Sequence, residues 1–157
     1  EYINEQYDPA MSWKDAEYCV KRWKGPFALK GLMSVEDAKK AVDIGASAIM
    51  LSNHGGRQLD GSRSPFDQLP AIVDAVGGKI EIIIDGGIRR GTHVLKALAL
   101  GATACSFGKG FLFALGAGGQ EGVEMVLQRM RDEIRRDMIL MGCKSLKELN
   151  SSKIVFR

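Results

Sequence analysis

The chain holds two histidines, and one of them, His54, lies in the stretch SNHGGRQLDG that runs from Ser52 to Gly61. Arg57 follows within the same loop. An imidazole with an ordinary pKa of about 6.5 exchanges a proton near neutrality, and a guanidinium beside it can hold an anion. The pair reads in two ways: as a catalytic base with an anion-holding partner, or as a Gly-rich turn that happens to carry a histidine. Two more stretches have chemical potential, DGGIRR from Asp85 and GKG from Gly108. Glycines let backbone N–H groups approach an anion closely, and helix N-termini add positive potential. Arg89 and Lys109 add charge. DGG alone reads equally well as a tight turn beside surface cations. A second Gly-Lys in a matching place favours a phosphate site.

What positions these groups is a regular alternation of elements. Ser12, with Asp15 three residues on, resembles a capping box and predicts a helix that ends near Gly25. PFALKG is a short apolar run, read as a strand ending near Lys30. Ser34 opens a second helix, VEDAKKAVDI, stopped by Gly45. SAIMLS is short, apolar and without alternation, the pattern of a buried parallel strand. A polar loop leads to a helix over Phe66 to Val76, stopped by Gly77 and Gly78. IEIIIDGG is the clearest strand. THVLKALAL is a helix stopped by Gly101, with His93 read as a residue of its surface. TACSFG is the next strand and GFLFAL a short helix. The last long helix carries Val123, Val126, Met130, Ile134, Met138 and Met141 as one apolar stripe on an otherwise charged cylinder. Gly142 stops it, and SLKE from Ser145 caps a final turn.

The order is βα repeated four times behind a leading helix, which predicts an α/β protein with a parallel sheet. AVDIGASAIM from Ala41 and ALALGATACS from Ala97 share the pattern A-x-x-x-G-A-x-A. The copies lie two βα units apart, which suits a (β/α)8 barrel better than a dinucleotide-binding fold; no G-x-G-x-x-G follows a strand. In such barrels the active site lies at the carboxyl ends of the strands. Those ends are Lys30; Ser52 and His54, with Arg57 in the loop; Asp85, Gly86, Gly87 and Arg89; and Gly108 with Lys109. Every polar group that is out of place in a buried strand falls at the same end.

Composition narrows the classes. At 157 residues, with 45% hydrophobic and 26% charged residues, the chain is expected to be one globular domain. A net charge of +3 without a dense Lys/Arg block argues against nucleic acid as a partner. No apolar run approaches the roughly 18 residues of a membrane helix. Three scattered cysteines, Cys19, Cys105 and Cys143, have neither disulfide nor zinc spacing, and no metal site is expected. They predict a reducing compartment, hence a soluble, cytoplasmic protein, with peripheral membrane association left open.

Taken together, KG at Lys30, SNHGGRQLD, DGGIRRGTHVLKALALGA and GCKSLKEL resemble the FMN-dependent α-hydroxy-acid dehydrogenases and oxidases, the family of glycolate oxidase, the L-lactate dehydrogenase flavoproteins and mandelate dehydrogenase. The resemblance runs from about Ser12 to Leu149. It implies an enzyme that oxidises a small (S)-2-hydroxy acid to the 2-oxo acid with FMN as cofactor. Lys30 resembles the lysine that faces the flavin N1 and C2 carbonyl, where a cation stabilises charge that builds on reduction. Ser52 resembles a flavin-bonding serine. His54 resembles the general base, in contact with substrate, and Arg57 the arginine that pairs with the substrate carboxylate. Asp85, Gly86, Gly87, Ile88 and Arg89 match the segment that holds the FMN ribityl chain and phosphate, and Gly108 and Lys109 its second phosphate contact. The family usually has Gly-Arg at that last place. Lysine keeps the charge and loses the planar fork.

A full barrel takes about 250 residues, so residues 1–157 are expected to form the carboxyl-terminal half of a single FMN hydroxy-acid dehydrogenase domain. The partners expected are the 2-hydroxy acid, an unidentified electron acceptor, and either the missing amino-terminal half or further copies of the chain. Two alternatives stand beside the enzyme. One is a non-catalytic half-barrel that needs its other half. The other is a different FMN- or phosphate-binding barrel, which would call for a catalytic cysteine in a loop, whereas Cys105 falls inside a strand.

Overall fold

The computed structural model describes residues 8–155; the first seven and last two residues of the expected domain lie outside them. The leading helix, α1, spans Trp13–Trp23. It starts where the sequence says it should, because the Asp15 carboxylate accepts both the backbone N–H and the hydroxyl of Ser12, each at 2.7 Å. Then follow β1 (Ala28–Lys30), α2 (Val35–Asp43), β2 (Ala48–Leu51), a 3₁₀ turn at His54–Gly56, α3 (Pro65–Val76), β3 (Glu81–Asp85), α4 (Gly91–Ala99), β4 (Ala104–Ser106) and α5 (Lys109–Leu140). The strands form one parallel sheet in the order β1-β2-β3-β4. Each neighbour in sequence is a neighbour in space, the arrangement expected of consecutive barrel units.

The shared A-x-x-x-G-A-x-A pattern turns out to be a helix stop. After α2, Gly45 takes φ 79° and the N–H of Ala46 donates to the carbonyl of Ala41 at 3.0 Å. After α4, Gly101 takes φ 100° and Ala102 N–H donates to Ala97 at 3.0 Å. Both are Schellman motifs, in which glycine accepts the left-handed conformation that lets the last carbonyls be satisfied. The next residues enter strands at once, so each stop also sets where a strand begins. Gly142 ends α5 in the same way, with Cys143 N–H on Met138.

The core lies between the sheet and its helices. Ile49, Leu51, Ile82 and Ile84 from the central strands meet Leu69, Ile72 and Val76 of α3, all at most 1% exposed. The outer strands differ. Ala28 and Lys30 of β1 and Ala104 of β4 are exposed, and β1 and β4 end the sheet without a further strand among the described residues. No helix among the described residues is long and apolar enough to cross a membrane.

The short and the long carboxyl-terminal helices expected from sequence are continuous through Lys109–Leu140 except for a break at Gly118 and Gly119, where Gly119 takes φ 56° and ψ −141°. The first piece is longer than GFLFAL and leaves Phe113 75% exposed. The expected apolar stripe on the second piece does face inward. Between its members, however, two carboxylates are buried as well, Glu133 and Asp137. Glu133 is explained by what it meets: it accepts the backbone N–H of Gly91 at 2.8 Å and contacts from Arg90 and Arg129 at 3.3 and 3.4 Å. It thereby satisfies the first amide of α4, and the negative charge sits at the positive end of that helix. The Gly91 N–H bond, opposed by burial and aided by Arg90, holds the Glu133 carboxyl below its ordinary value.

Gly91 is where α4 and α5 touch. A Cβ there would stand 2.6 Å from the Ile134 nitrogen and 2.8 Å from the Met130 carbonyl oxygen, both backbone atoms that cannot move aside. Gly91→Ala is therefore expected to destabilise the protein by about 1–3 kcal/mol, seen as a lower urea midpoint; an unchanged midpoint would show that the helices separate freely. Glu133 supplies a pH signature. Its folded pKa is depressed, so its contribution is complete above the ordinary value of 4.5 and is lost as pH falls through the folded value. The stability difference between wild type and Glu133→Gln should shrink as urea titrations are moved from about pH 7 to about pH 3. A constant difference would contradict it.

Candidate active site

Parallel pairing brings the carboxyl ends of all four strands to one rim. The register pairs Lys30 with Met50, Leu51 with Ile84, and Asp85 with Ser106. Ser52, one residue past β2, thus falls beside Asp85. Its hydroxyl is 1% exposed and fully engaged. It donates to Asp85 Oδ2 at 2.8 Å, and accepts from Lys30 Nζ at 3.1 Å and from the His54 backbone N–H at 3.1 Å. Lys30 Nζ also lies 3.2 Å from Asp85 Oδ2. Burial works to raise the Asp85 pKa, but hydrogen bonds from Ser52, Lys30 and Ser106 outweigh it and hold the carboxyl below the ordinary range. Asp85 is an anion at neutral pH, and Lys30 is oriented over it with about half its side chain, 47%, still in solvent.

His54 leaves this network in an unusual backbone state. Its φ is 56°, one of two non-glycine residues among those described in the left-handed region. That conformation costs of order 1–2 kcal/mol for a residue with a Cβ. It is held by the Ser52 bond on one side and, on the other, by the 3₁₀ turn, in which Arg57 N–H donates to the His54 carbonyl at 3.4 Å. The result turns the imidazole towards β1. A Cβ on Gly31 would come within 2.9 Å of His54 Cε1. Gly31, in the KG pair, takes φ 95° and leaves room for the histidine ring; nothing in the sequence near His54 points to it. Arg57 is exposed and follows directly on the turn.

The glycine turns occupy the next two strand ends. Gly86 and Gly87 take φ 109° and 75°. Gly108 precedes α5 as its N-cap and makes no side-chain cap, and Gly108 to Gly110 line the rim. The first amide of α4 is used by Glu133, at 2.8 Å. Lys109 Nζ donates to the Gly55 carbonyl at 3.0 Å, a contact invisible in the sequence. It ties the start of α5 to the turn that carries His54.

One cavity of about 720 Å³ is bounded by Lys30, His54, Arg57, Asp85, the Gly86–Arg89 turn, Gly108 and Lys109. Every residue expected at the site reaches it except Ser52, which lies behind its wall and acts on Lys30 and His54. His93 corrects the sequence expectation. It is half-buried, and its Nδ1 lies 3.2 Å from both the Arg89 nitrogen and the Gly87 oxygen, against the glycine turn and not merely on a helix surface. The signal that could have found it is its place in the first turn of α4, where side chains reach back to cap the preceding backbone. Cys105 is no nucleophile: burial pushes its thiol up to about 11.

The whole sequence, residues 1–156, matches the family described as FMN-dependent dehydrogenase. The chain belongs to that family. An L-lactate dehydrogenase of Vibrio cholerae serotype O1 is 47% identical over 156 residues, 99% of this chain and 41% of that protein. An L-lactate oxidase of a Nostoc species is 46% identical over 151 residues, 96% of this chain and 41% of that one. Among solved structures, a flavocytochrome b2 variant with sulfite bound superposes with a TM-score of 0.89 at 45% identity, over 92% of this chain and 38% of that one. A mandelate oxidase variant carrying a monooxide FMN adduct gives 0.83 at 47% identity, over 87% and 44%. The fold is accordingly part of a TIM barrel of the flavoenzyme type, and the chain spans about two-fifths of the length of these relatives.

The residues present fit the FMN of this family. A cation fixed by a carboxylate lines the cavity, and so do the glycine turns with Arg89 and Lys109. This donor set is of the kind a flavin and its phosphate call for. Gly31→Ala should displace the imidazole of His54 while leaving that of His93 in place. With only two histidines, the ring C–H resonances report each separately: a shifted His54 signal is expected, and an unchanged one would show that Gly31 does not bound the ring.

Proposed function

We propose that this chain supplies the base, the substrate clamp and the phosphate site of an enzyme that oxidises a small (S)-2-hydroxy acid to the 2-oxo acid. The observation that carries the reading is the joining of Lys30, His54 and Asp85 through one buried hydroxyl, with Arg57 and the glycine turns on the same cavity. FMN, held by Lys30, the Asp85–Arg89 segment and Gly108–Lys109, would supply the two-electron acceptor. The substrate carboxylate pairs with Arg57, whose planar fork suits two parallel hydrogen bonds. His54 takes one proton of the substrate in the oxidation, and an imidazole suits this near neutral pH. Lys30, held 3.2 Å from the Asp85 carboxylate, places positive charge where negative charge develops.

The remaining strands of the barrel would come from an amino-terminal half, or from another copy of the chain. The exposed faces of β1 and β4 and the uncovered Phe113 are the surfaces such a partner would bury. Residues 1–157 would then be the carboxyl-terminal half of one FMN hydroxy-acid dehydrogenase domain. The three thiols are free, which suits a reducing compartment such as the cytoplasm. A separate electron acceptor completes the turnover.

Purified protein with FMN should be yellow and should bleach anaerobically with lactate, glycolate or mandelate. His54→Gln is expected to keep the flavin and lose turnover by on the order of 10² or more. Arg57→Met should chiefly raise KM. Protein that takes up no FMN would mark an inert half-barrel, and an unchanged KM for Arg57→Met would remove that residue from the substrate site.

A further inference from the structure

The second histidine has no place in the proposed chemistry, yet its ring nitrogen lies within 3.2 Å of two backbone atoms of the glycine turn. His93 is the third residue of α4, and its ring folds back over the segment before the helix. Nδ1 is 3.2 Å from the Arg89 nitrogen and 3.2 Å from the Gly87 oxygen. One ring atom therefore lies within hydrogen-bond distance of two backbone groups two residues apart, across Ile88, which is itself 2% exposed. The bridge spans the part of the chain where Gly86 and Gly87 hold left-handed φ. Glycines give such a turn its access to an anion, but they also leave it free to move. A rigid side-chain tie offsets that freedom.

His93 is itself well anchored. The Gly91 N–H is bound by the buried Glu133, and α4 packs on α5 at backbone contact distance there. The path from α5 to the turn runs Glu133, Gly91, first turn of α4, His93, then the Gly87 and Arg89 backbone. We propose that His93 is a positioning residue for the anion-binding turn, its Nδ1 clamping the Gly87–Arg89 backbone in the form that receives a phosphate. The inference rests on reading Gly86–Arg89 as a phosphate site.

The chemistry of the clamp makes a specific demand on its replacement. A single nitrogen cannot accept from Arg89 N–H and donate to the Gly87 carbonyl at the same moment. With the proton on Nε2, Nδ1 accepts from Arg89; with the proton on Nδ1, it donates to Gly87. Asparagine carries both an acceptor and a donor at the same distance from Cβ, so it can make both bonds. Alanine can make neither.

The test compares wild type, His93→Asn and His93→Ala by two readouts. One is FMN affinity from quenching of flavin fluorescence, with inorganic phosphate as competitor. The other is hydrogen exchange at the Arg89 amide, which needs no cofactor. His93→Ala should bind FMN about five- to tenfold more weakly and should speed Arg89 exchange, with the urea midpoint little changed. His93→Asn should restore both. Equal FMN affinity in wild type and His93→Ala would overturn the proposal, as would loss of affinity that asparagine fails to rescue. If wild type bound no FMN, the phosphate reading itself would fall. Arg89 exchange would still judge the clamp: unaltered exchange in His93→Ala refutes it, and faster exchange that asparagine reverses supports it.

Discussion

The hydroxyl of Ser52 holds three strand ends in fixed relation. It gives its one proton to Asp85 and receives from Lys30 and from the amide of His54. A hydroxyl has one donor and two acceptor lone pairs, and at Ser52 all three are used. Every partner has a different part in the proposed chemistry: the cation, the carboxylate that orients it, and the backbone that aims the base. A buried polar group whose bonds are all made is rigid, because breaking any one of them leaves an unsatisfied atom away from water. The left-handed backbone of His54 depends on this. The Ser52 bond and the 3₁₀ turn after it together offset the cost of φ 56° at a residue with a Cβ.

A second rigid path supports the anion end. It starts at Glu133 on the long last helix and reaches the glycine turn through Gly91 and His93. Lys109, at the start of the same helix but before its break at Gly118 and Gly119, reaches over to the Gly55 carbonyl. The cavity is thus framed by a sheet, whose register places the first set of groups, and by α5, whose two pieces carry Lys109 and Glu133. Such a frame puts a fixed cation and the glycine turns on one cavity. It also explains why a helix with so many exposed charges keeps a buried carboxylate on its inner face.

Much of the fold is legible in the residue order because its signals are local. The Ser12 and Ser34 caps, the glycine stops at Gly45, Gly101 and Gly142, and the apolar runs of β2 and β3 each act within a few residues. The strand ends at Lys30, Ser52 and Asp85 could be read because a charged or polar group closing an apolar run is unusual. Membership of the flavin-dependent family was legible for the same reason, in motifs that are contiguous. What was not legible involves partners far apart in sequence. Glu133 looks like one more charge on a charged helix until its carboxylate is found on Gly91, 42 residues away. Gly31 looks like an ordinary turn residue until the His54 ring is found against it. His93 looks like helix surface because its function is exerted on backbone atoms, which carry no sequence signature.

The sequence by itself determined the element order, the helix stops, the parallel α/β class and the set of groups at the strand ends. These follow from hydrogen bonds and periodicities that span a turn or two of chain. Only the tertiary structure decided which of those groups touch. Register set Ser52 beside Asp85, helix packing set Glu133 on Gly91, and a left-handed turn set the face His54 presents. Distances between elements depend on how their surfaces pack in three dimensions, and no local spacing encodes them.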